Sequence, residues 1–386
     1  MKILMIVFNL TGKGTYWRAY NFGIELVKRG HKVTLITTSP KSRWGQEQYD
    51  QLSLKIIEMP DLLPGPLRSG WDFWNTLNRV YWLKDKQFDI VHAFECRPVV
   101  IFPALLAKKK GAKLIIDWAD WFGRGGSVEA RPNPLVRTIV RPLDTFFEEY
   151  YRHYADGHTV INQYLYERAT VITPNRPITL IRNGAPSSVP LIPISKARSQ
   201  LGIPMNNEII GYVGGIYTED AHLMAKAFNI INQQKPNVRL LLIGYFNRPI
   251  EKWIKTTQNV IRTGLISNKN DLYKYIAACD ICWLPMKNSG ANIGRWPYKL
   301  TDYMAVGRPT ISTNIGDMVK FFTQYQIGIT TNENPKALAQ ATIELFSDEN
   351  KRKYYGQNAH FIAMNELSWK NLTLMMEEFY NHLLTN

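Results

Sequence analysis

The chain has 386 residues, too many for one ordinary hydrophobic core, and its 45% hydrophobic and 20% charged content is that of a folded globular protein. No apolar run reaches the roughly 18 residues a membrane-spanning helix needs, and three cysteines (Cys96, Cys279 and Cys282) are too few for a disulfide framework, which points to a reducing compartment. The net charge of +15 forms no tail, with 26 basic against 17 acidic residues to position 190 and 21 against 15 beyond it. Without a zinc finger, an RNA-recognition signature or a long Lys/Arg run, this excess favours anionic small substrates or an anionic membrane over nucleic acid.

Residues 2–8 (KILMIVF) read as a first strand rather than a signal sequence, because they run into a glycine loop with no small-residue cleavage site. The loop Gly12-Lys13-Gly14, an amphipathic helix over 16–29 and a strand over 31–38 complete a βαβ unit. Gly14 thus sits at the carboxyl end of strand one, where doubly wound sheets bind ligands, although the loop lacks the GxGxxG spacing. Residues 64–86 interleave Trp71, Phe73, Trp74, Tyr81 and Trp82 with Arg68, Arg79, Lys84 and Lys86. Such a segment either lies in a membrane interface or packs its aromatics into the core. Strands follow at 88–94 and 112–118, the second leading to Asp117, Asp120 and a glycine-rich loop. Asp120 is the leading candidate for an active-site carboxylate and Asp117 the second, with helix capping as the alternative for Asp117. His92 ends a strand, and a structural role is the simpler reading. A helix over 142–155, a strand over 155–162 with Asn162 as the next helix cap, and a strand over 179–186 close the first half.

The Pro- and Ser-rich stretch 186–195 reads as a linker. A second βαβ unit begins with strand 208–217, ending at Gly214-Gly215, then helix 219–234 and strand 237–245. Strand 259–264, helix 269–279 and strand 280–285 lead to SGANIGRWPYKLTDYMAVGRP, residues 289–309. Residues 289–295 read as irregular because of their glycines. From about Pro297 the pattern is helical, ending at Gly307. A loop carrying Arg295 and Lys299 at a helix start is an anion site, suited to a phosphate or diphosphate. Asp302, three residues after Lys299, is placed to accept ribose hydroxyls. Helices at 334–346, 350–363 and 368–384 finish the chain. Cys279 and Cys282 have CxxC spacing but no second pair, so they read as core cysteines.

The fold expected is α/β, with two doubly wound Rossmann-like domains facing a central cleft: residues 1–190, 191–365, and a terminal helix over 366–386 returning to the first. On KILMIVFNLTGKGT, FDIVHAF, LIRNGAP, GYVGG, LYKYIAACDICWLP, KLTDYMAVGRPTI and the closing LSWKNLTLMMEEFYNHLL, the chain resembles the GT-B glycosyltransferases of family 4. The resemblance covers nearly the whole length. It implies a pair of glutamates separated by seven residues that bind donor sugar and ribose. Asp302 falls at the second position and Gly294 at the first. Where the family has an Arg and a Lys after GYVG, this chain has Gly215 and Asp220, and Arg295 and Lys299 are expected to supply that charge.

The resemblance implies transfer of a sugar from a UDP- or GDP-linked donor to a hydroxyl of a saccharide or lipid-linked acceptor, with retention, in cell-surface polysaccharide or glycoconjugate synthesis. The base would lie near Gly264, Leu265 and Ile266. The diphosphate would lie on Gly214-Gly215, the N–H groups of Asn292 and Ile293, Arg295 and Lys299. Asp120 would orient acceptor or donor, or act as general base if the reaction inverts. No metal and no cofactor beyond the donor are expected. Two other readings are a non-catalytic subunit of a polysaccharide assembly complex and a sugar-nucleotide 2-epimerase, whose acid–base groups would be Asp117 and Asp120. The expected place is the cytoplasm, with the inner membrane face as a peripheral docking surface.

Overall fold

The computed structural model describes residues 1–63, 70–246 and 250–385. The chain divides into two compact units, residues 1–183 with 294–296 and 369–386, and residues 184–293 with 297–368.

The first unit is built on an eight-stranded sheet. Its strands are β1 (Lys2–Leu10), β2 (Lys32–Thr38), β3 (Glu47–Gln51), β4 (Leu54–Met59), β5 (Ile90–Phe94), β6 (Lys113–Trp118), β7 (Gly157–Val160) and β8 (Ile178–Leu180), in the order β3-β4-β2-β1-β5-β6-β7-β8. All neighbours run parallel except β3, which pairs antiparallel with β4. The central strands are buried on both faces, which is why they read as unbroken apolar runs. Its helices are α1 (Tyr16–Lys28), α2 (Phe73–Leu83), α3 (Pro98–Lys109), α4 (Pro134–Tyr150) and α5 (Gln163–Ile172). The second unit carries β9 (Glu208–Val213), β10 (Val238–Ile243), β11 (Val260–Arg262), β12 (Ile281–Leu284), β13 (Thr310–Thr313) and β14 (Gly328–Thr331), in the all-parallel order β11-β10-β9-β12-β13-β14. Its helices are α6 (Ile194–Leu201), α7 (Thr218–Gln234), α8 (Lys269–Ala277), α9 (Gly290–Ile293), α10 (Tyr298–Ala305), α11 (Met318–Tyr325), α12 (Pro335–Ser347) and α13 (Glu349–Met364). The last helix, α14 (Trp369–Thr385), belongs to the first unit, where Trp369 packs edge-on against Phe22 of α1 at 4.9 Å.

Three local readings need correction. The β3–β4 hairpin was not anticipated. Its two loop residues, Leu52 and Ser53, take positive φ of 49° and 64° with neither Gly nor Asn to signal a turn. Helix α4 begins eight residues before the expected 142 and carries Pro142 in its interior. Pro134 instead occupies its first turn, and the Asn133 side chain caps it by accepting from the N–H groups of Leu135 and Val136. Residues 290–293, expected to be irregular, form one helical turn in which the Ser289 carbonyl accepts from both Asn292 and Ile293 N–H.

The segment 64–86 divides. Residues 64–69 lie outside those described. In the remainder Trp82 is buried in the core, Trp74 and Trp71 are half-buried, and Phe73 and Tyr81 are exposed on α2. All three cysteines are free and buried.

The polar centre of the first unit is Arg18 on α1. Its Nε and Nη2 donate to the two carboxylate oxygens of Asp117 at 3.0 and 2.9 Å, and its remaining N–H groups reach the carbonyls of Ile181 and Arg182 and the Asn183 side chain. Thr159 Oγ1 also donates to Asp117 at 2.6 Å. Both charges are essentially inaccessible to water. Asp117 is therefore neither an active-site group nor a helix cap. His92 is likewise internal, with Nδ1 at 2.6 Å from the Tyr380 hydroxyl and Nε2 at 3.0 Å from Thr159 Oγ1, and burial pushes its pKa down to about 4. Arg18→Met leaves a buried carboxylate without its partner, and chemical denaturation should show a loss of about 3–5 kcal/mol. Arg18→Met with Asp117→Leu should recover most of that loss; a single variant as stable as the parent would remove Arg18 from its central place.

Candidate functional site

In the first unit the carboxyl end of β1 opens into the glycine loop. The Asn9 side chain accepts from Thr15 N–H at 3.1 Å and so closes the loop onto α1. Gly14 has φ of 56°, and a Cβ there would stand 2.5 Å from the Asn9 amide nitrogen. This position admits no larger residue without displacing Asn9.

The loop after β6 is the more informative one, because two buried glutamates hold its backbone. Glu95, just past β5, accepts from the N–H groups of Ala119 (2.8 Å) and Asp120 (3.2 Å) with one oxygen. Glu148, on α4, accepts from Trp118 Nε1 and Phe122 N–H, both at 2.8 Å, and from Gly123 N–H at 2.6 Å. Glu95 adopts φ of 77°, a left-handed conformation that costs a non-glycine residue energy and tends to persist at functional sites. Arg152 lies 3.8 Å from its other oxygen, stacked over the Trp118 ring at 3.8 Å. Burial raises the pKa of both glutamates against the opposing field of Arg152.

Asp120 stands in this cage. Burial pushes its pKa up to about 6, Arg295 opposes the rise, and Glu148 and Asp117 add to it. The backbones of Asp120 and Arg295 pair in an isolated antiparallel bridge. Segment 294–296 is bound to this unit through its carbonyls: Gly294 accepts from Trp121 N–H, Arg295 from Asn162 Nδ2 and Trp296 from Asn183 Nδ2, each at 3.2 Å. The structure thus places Arg295 with Asp120 in the first unit, while Lys299 belongs to the second. Glu95 and Glu148 were missed in the sequence. Glu95 could have been found by the rule that singled out Asp120, since it too follows the carboxyl end of a parallel strand; nothing local marks Glu148.

In the second unit Gly214 ends β9 with φ of 69°, its N–H donating to Ile243 O at 2.8 Å. Lys299, in the first turn of α10, reaches this loop. Its ammonium donates to Gly215 O at 2.9 Å and to the Tyr212 hydroxyl at 2.5 Å, over the Tyr212 ring. Asp302, one turn on, faces Lys269 Nζ at 3.4 Å and the Tyr273 hydroxyl at 3.5 Å, both from α8. Gly264 bridges to Gly244, and exposed Leu265 lines a cavity of about 550 Å³ with Ile266, Asn268, Asp271 and Lys274. Lys299, Gly214, Gly215 and Asp302 therefore fall on adjoining elements at the carboxyl end of one sheet.

Asn292 and Ile293 do not present their N–H groups, which are spent on Ser289. The Asn292 side chain is buried, donating to Asp220 at 3.0 Å and to Lys287 O at 2.8 Å. Asp220 in turn accepts from Lys287 N–H at 2.7 Å, so it braces the turn rather than facing a ligand. Among the described residues no group of three or more His, Cys, Asp or Glu side chains is placed to hold a metal ion, and no helix is long and apolar enough to cross a membrane.

Residues 13–184 match the glycosyl transferase 4-like domain and residues 193–360 the glycosyl transferases group 1 domain, so that the two matches span most of the chain. A D-inositol 3-phosphate glycosyltransferase of Corynebacterium urealyticum is 24% identical over 231 residues, which is 56% of this chain and 52% of that protein. The putative teichuronic acid biosynthesis glycosyltransferase TuaH of Bacillus subtilis is 26% identical over 241 residues, 61% of this chain and 58% of that protein. The matched regions thus span little more than half the length of these curated relatives. Among solved structures, HepE of Anabaena in complex with UDP-glucose superposes with a TM-score of 0.68 at 16% identity, covering 99% of this chain and 100% of that one. Two parallel-sheet α/β units in this order, matched by both domain families, carry one conclusion: the chain belongs to the GT-B glycosyltransferases and resembles their family 4.

Proposed function

We propose that the protein transfers a sugar from a UDP- or GDP-linked donor to a hydroxyl of a saccharide or lipid-linked acceptor, with retention of anomeric configuration, in the synthesis of a cell-surface polysaccharide or glycoconjugate. The observation that carries this reading is the contact of Lys299 with the Gly214-Gly215 loop, with Asp302 one turn further along the same helix. A cation fixed on a glycine loop beside a helix start suits a diphosphate, and a carboxylate one turn away suits ribose hydroxyls. UDP-glucose bound to a protein of the same fold supports a nucleotide-sugar donor, and the TuaH relative supports a polysaccharide product.

In this reading Lys299 neutralises charge developing on the departing diphosphate, which is worth most when the cation is preorganised. Its hydrogen bonds to Gly215 O and Tyr212 provide that preorganisation. The departing phosphate helps take the acceptor proton, and Asp120 orients the acceptor or the donor sugar. Glu95 and Glu148 fix the Asp120 loop from behind, so they are positioning residues. The nucleotide sugar is a co-substrate, and no further cofactor is invoked.

Calorimetric titration with UDP- and GDP-sugars tests the donor half. One of them should bind, and Lys299→Ala should weaken binding about 10- to 100-fold, the range of a charge-assisted hydrogen bond to phosphate. The melting temperature of that variant should stay within a few degrees of the parent. Absence of binding to every nucleotide sugar would favour the non-catalytic reading.

Asp120→Asn tests the first unit. Turnover should fall about a hundredfold or more, and in the parent it should decline as pH drops through about 6, where the carboxylate protonates. Stability should move the other way. The folded pKa lies above the unfolded one, so the ionised group costs stability above about pH 6 and that cost vanishes below pH 3.8. The variant should therefore be more stable by roughly 1–3 kcal/mol at pH 7.5 and by nothing at pH 3.5. Equal stability at pH 7.5 would mean that Asp120 is not held in a desolvated cage.

A further inference from the structure

A cavity of about 540 Å³ opens at the amino end of the second sheet. Asp280 and Pro309, which directly precede β12 and β13, line it together with the chain entering α6 and the first turns of α13. The Gly214-Gly215 loop and Lys299 contact each other at the carboxyl end of the same sheet, so the strands separate this cavity from them. Its volume is that of a small-molecule site.

Two apolar side chains stand exposed at the cavity, Leu191 at 52% and Met205 at 55%. Buried or half-buried arginines pin the backbone that carries them. Arg308 Nη2 donates to Ile192 O at 3.0 Å. Arg198, which is buried, donates through Nη1 to the carbonyls of Met205 (3.1 Å) and Asn207 (2.9 Å), and through Nε to Ala278 O at 2.9 Å. Gly307 has φ of 67°, and a Cβ there would stand 2.7 Å from the Leu191 side chain, so its absence lets Leu191 lie on this turn. An apolar surface held in place in this way loses little freedom when a ligand covers it.

The charges at the cavity are Arg308, Arg352 and Lys353 against Asp280 and Glu349. Both acids already have partners. Asp280 accepts from Arg198 Nη2 at 2.6 Å and from Ile209 N–H at 2.7 Å, and Glu349 pairs with Lys353 at 2.7 Å. Arg352 gives Nη1 to the carbonyls of Leu345 and Phe346 near the end of α12. Arg308 Nε is sealed from water and makes no hydrogen bond. A guanidinium with a donor left over is costly to bury, and an anionic oxygen beside it offsets that cost.

We infer that this cavity binds a small soluble amphiphile, an apolar chain or ring carrying one carboxylate or phosphate, with its apolar part against Leu191 and Met205 and its anion on Arg308 and Arg352. Such a ligand leaves the Lys299 loop open. Binding here is scored without donor or acceptor, so it can fail while sugar transfer stands, and the reverse.

The test follows the Met205 methyl resonance of the full chain, labelled with carbon-13 at its methionine methyl groups and assigned with Met205→Leu. The probes are octanoate and octyl phosphate, with octanol and inorganic phosphate as ligands that lack one half of the chemistry. The Met205 signal should shift saturably with octanoate or octyl phosphate, and the tighter of the two identifies the anionic group. Octanol and inorganic phosphate should each bind at least about tenfold more weakly. Leu191→Glu, at an exposed side chain, should keep the parent's melting temperature and lose at least about tenfold in affinity for the anionic probe. Arg308→Gln should lose about tenfold for that probe and nothing for octanol. Saturating UDP or GDP should leave the affinity unchanged. A Met205 signal unmoved by both probes up to about 10 mM overturns the proposal. So does octanol binding as tightly as the anions, a Leu191→Glu variant that binds like the parent, or displacement of the probe by either nucleotide.

Discussion

The first unit depends on one buried ion pair. Burying a carboxylate and a guanidinium at the carboxyl edge of a sheet is expensive unless each charge meets the other in good geometry and the remaining donors find acceptors. Arg18 and Asp117 meet that condition, through two hydrogen bonds between them and others to the carbonyls of Ile181 and Arg182. Those partners come from the first turn of α1, the end of β6 and the chain just before residue 184, so the pair joins these three segments. Asn183, which also accepts from Arg18, donates to Trp296 and so ties the returning segment 294–296 to the same centre.

Three residues beyond Asp117 stands Asp120, and the environment separates their roles. Asp117 has a guanidinium in contact and is a fixed charge of the core. Asp120 has Arg295 nearby but also Glu148 and Asp117, and burial outweighs the arginine, so its pKa rises to about 6. Two carboxylates close in sequence thus come to differ in the partners that surround them. Glu95 and Glu148 pay for this arrangement with raised pKa values and, for Glu95, a strained backbone, and in return they hold four N–H groups of the Asp120 loop, those of Ala119, Asp120, Phe122 and Gly123.

Much of the architecture was legible in the sequence because parallel strands buried on both faces leave continuous apolar runs, and KILMIVF, FDIVHAF and LLLIG are such runs. The β3–β4 hairpin was not, since its turn uses Leu52 and Ser53 where Gly or Asn would have marked it. The first two turns of α4 were not read either: the expected helix began at 142 and so held Glu148 but not the start at Pro134. Within the site, Lys299, Asp302 and the Gly214-Gly215 loop were placed together by their position after parallel strands, and the structure brings Lys299 onto that loop. What could not be read was the partition of 289–299. Hydrogen bonds from Trp121, Asn162 and Asn183 hold 294–296 in the first unit, while Lys299 falls in the second. The N–H groups of Asn292 and Ile293 looked available for an anion only because the single helical turn they close was unforeseen. Gly294, at the position where the family's first glutamate is expected, is one of the residues so held.

The account comes down to whether a sugar is transferred. The direct measurement is product detection by mass spectrometry after incubating the protein with UDP- and GDP-sugars and a panel of saccharide and lipid-linked acceptors. The account predicts an acceptor whose mass grows by one glycosyl unit, with release of the nucleoside diphosphate in equal amount and loss of both on Lys299→Ala. A donor that binds yet yields neither glycosylated product nor free nucleoside diphosphate with any acceptor would contradict it.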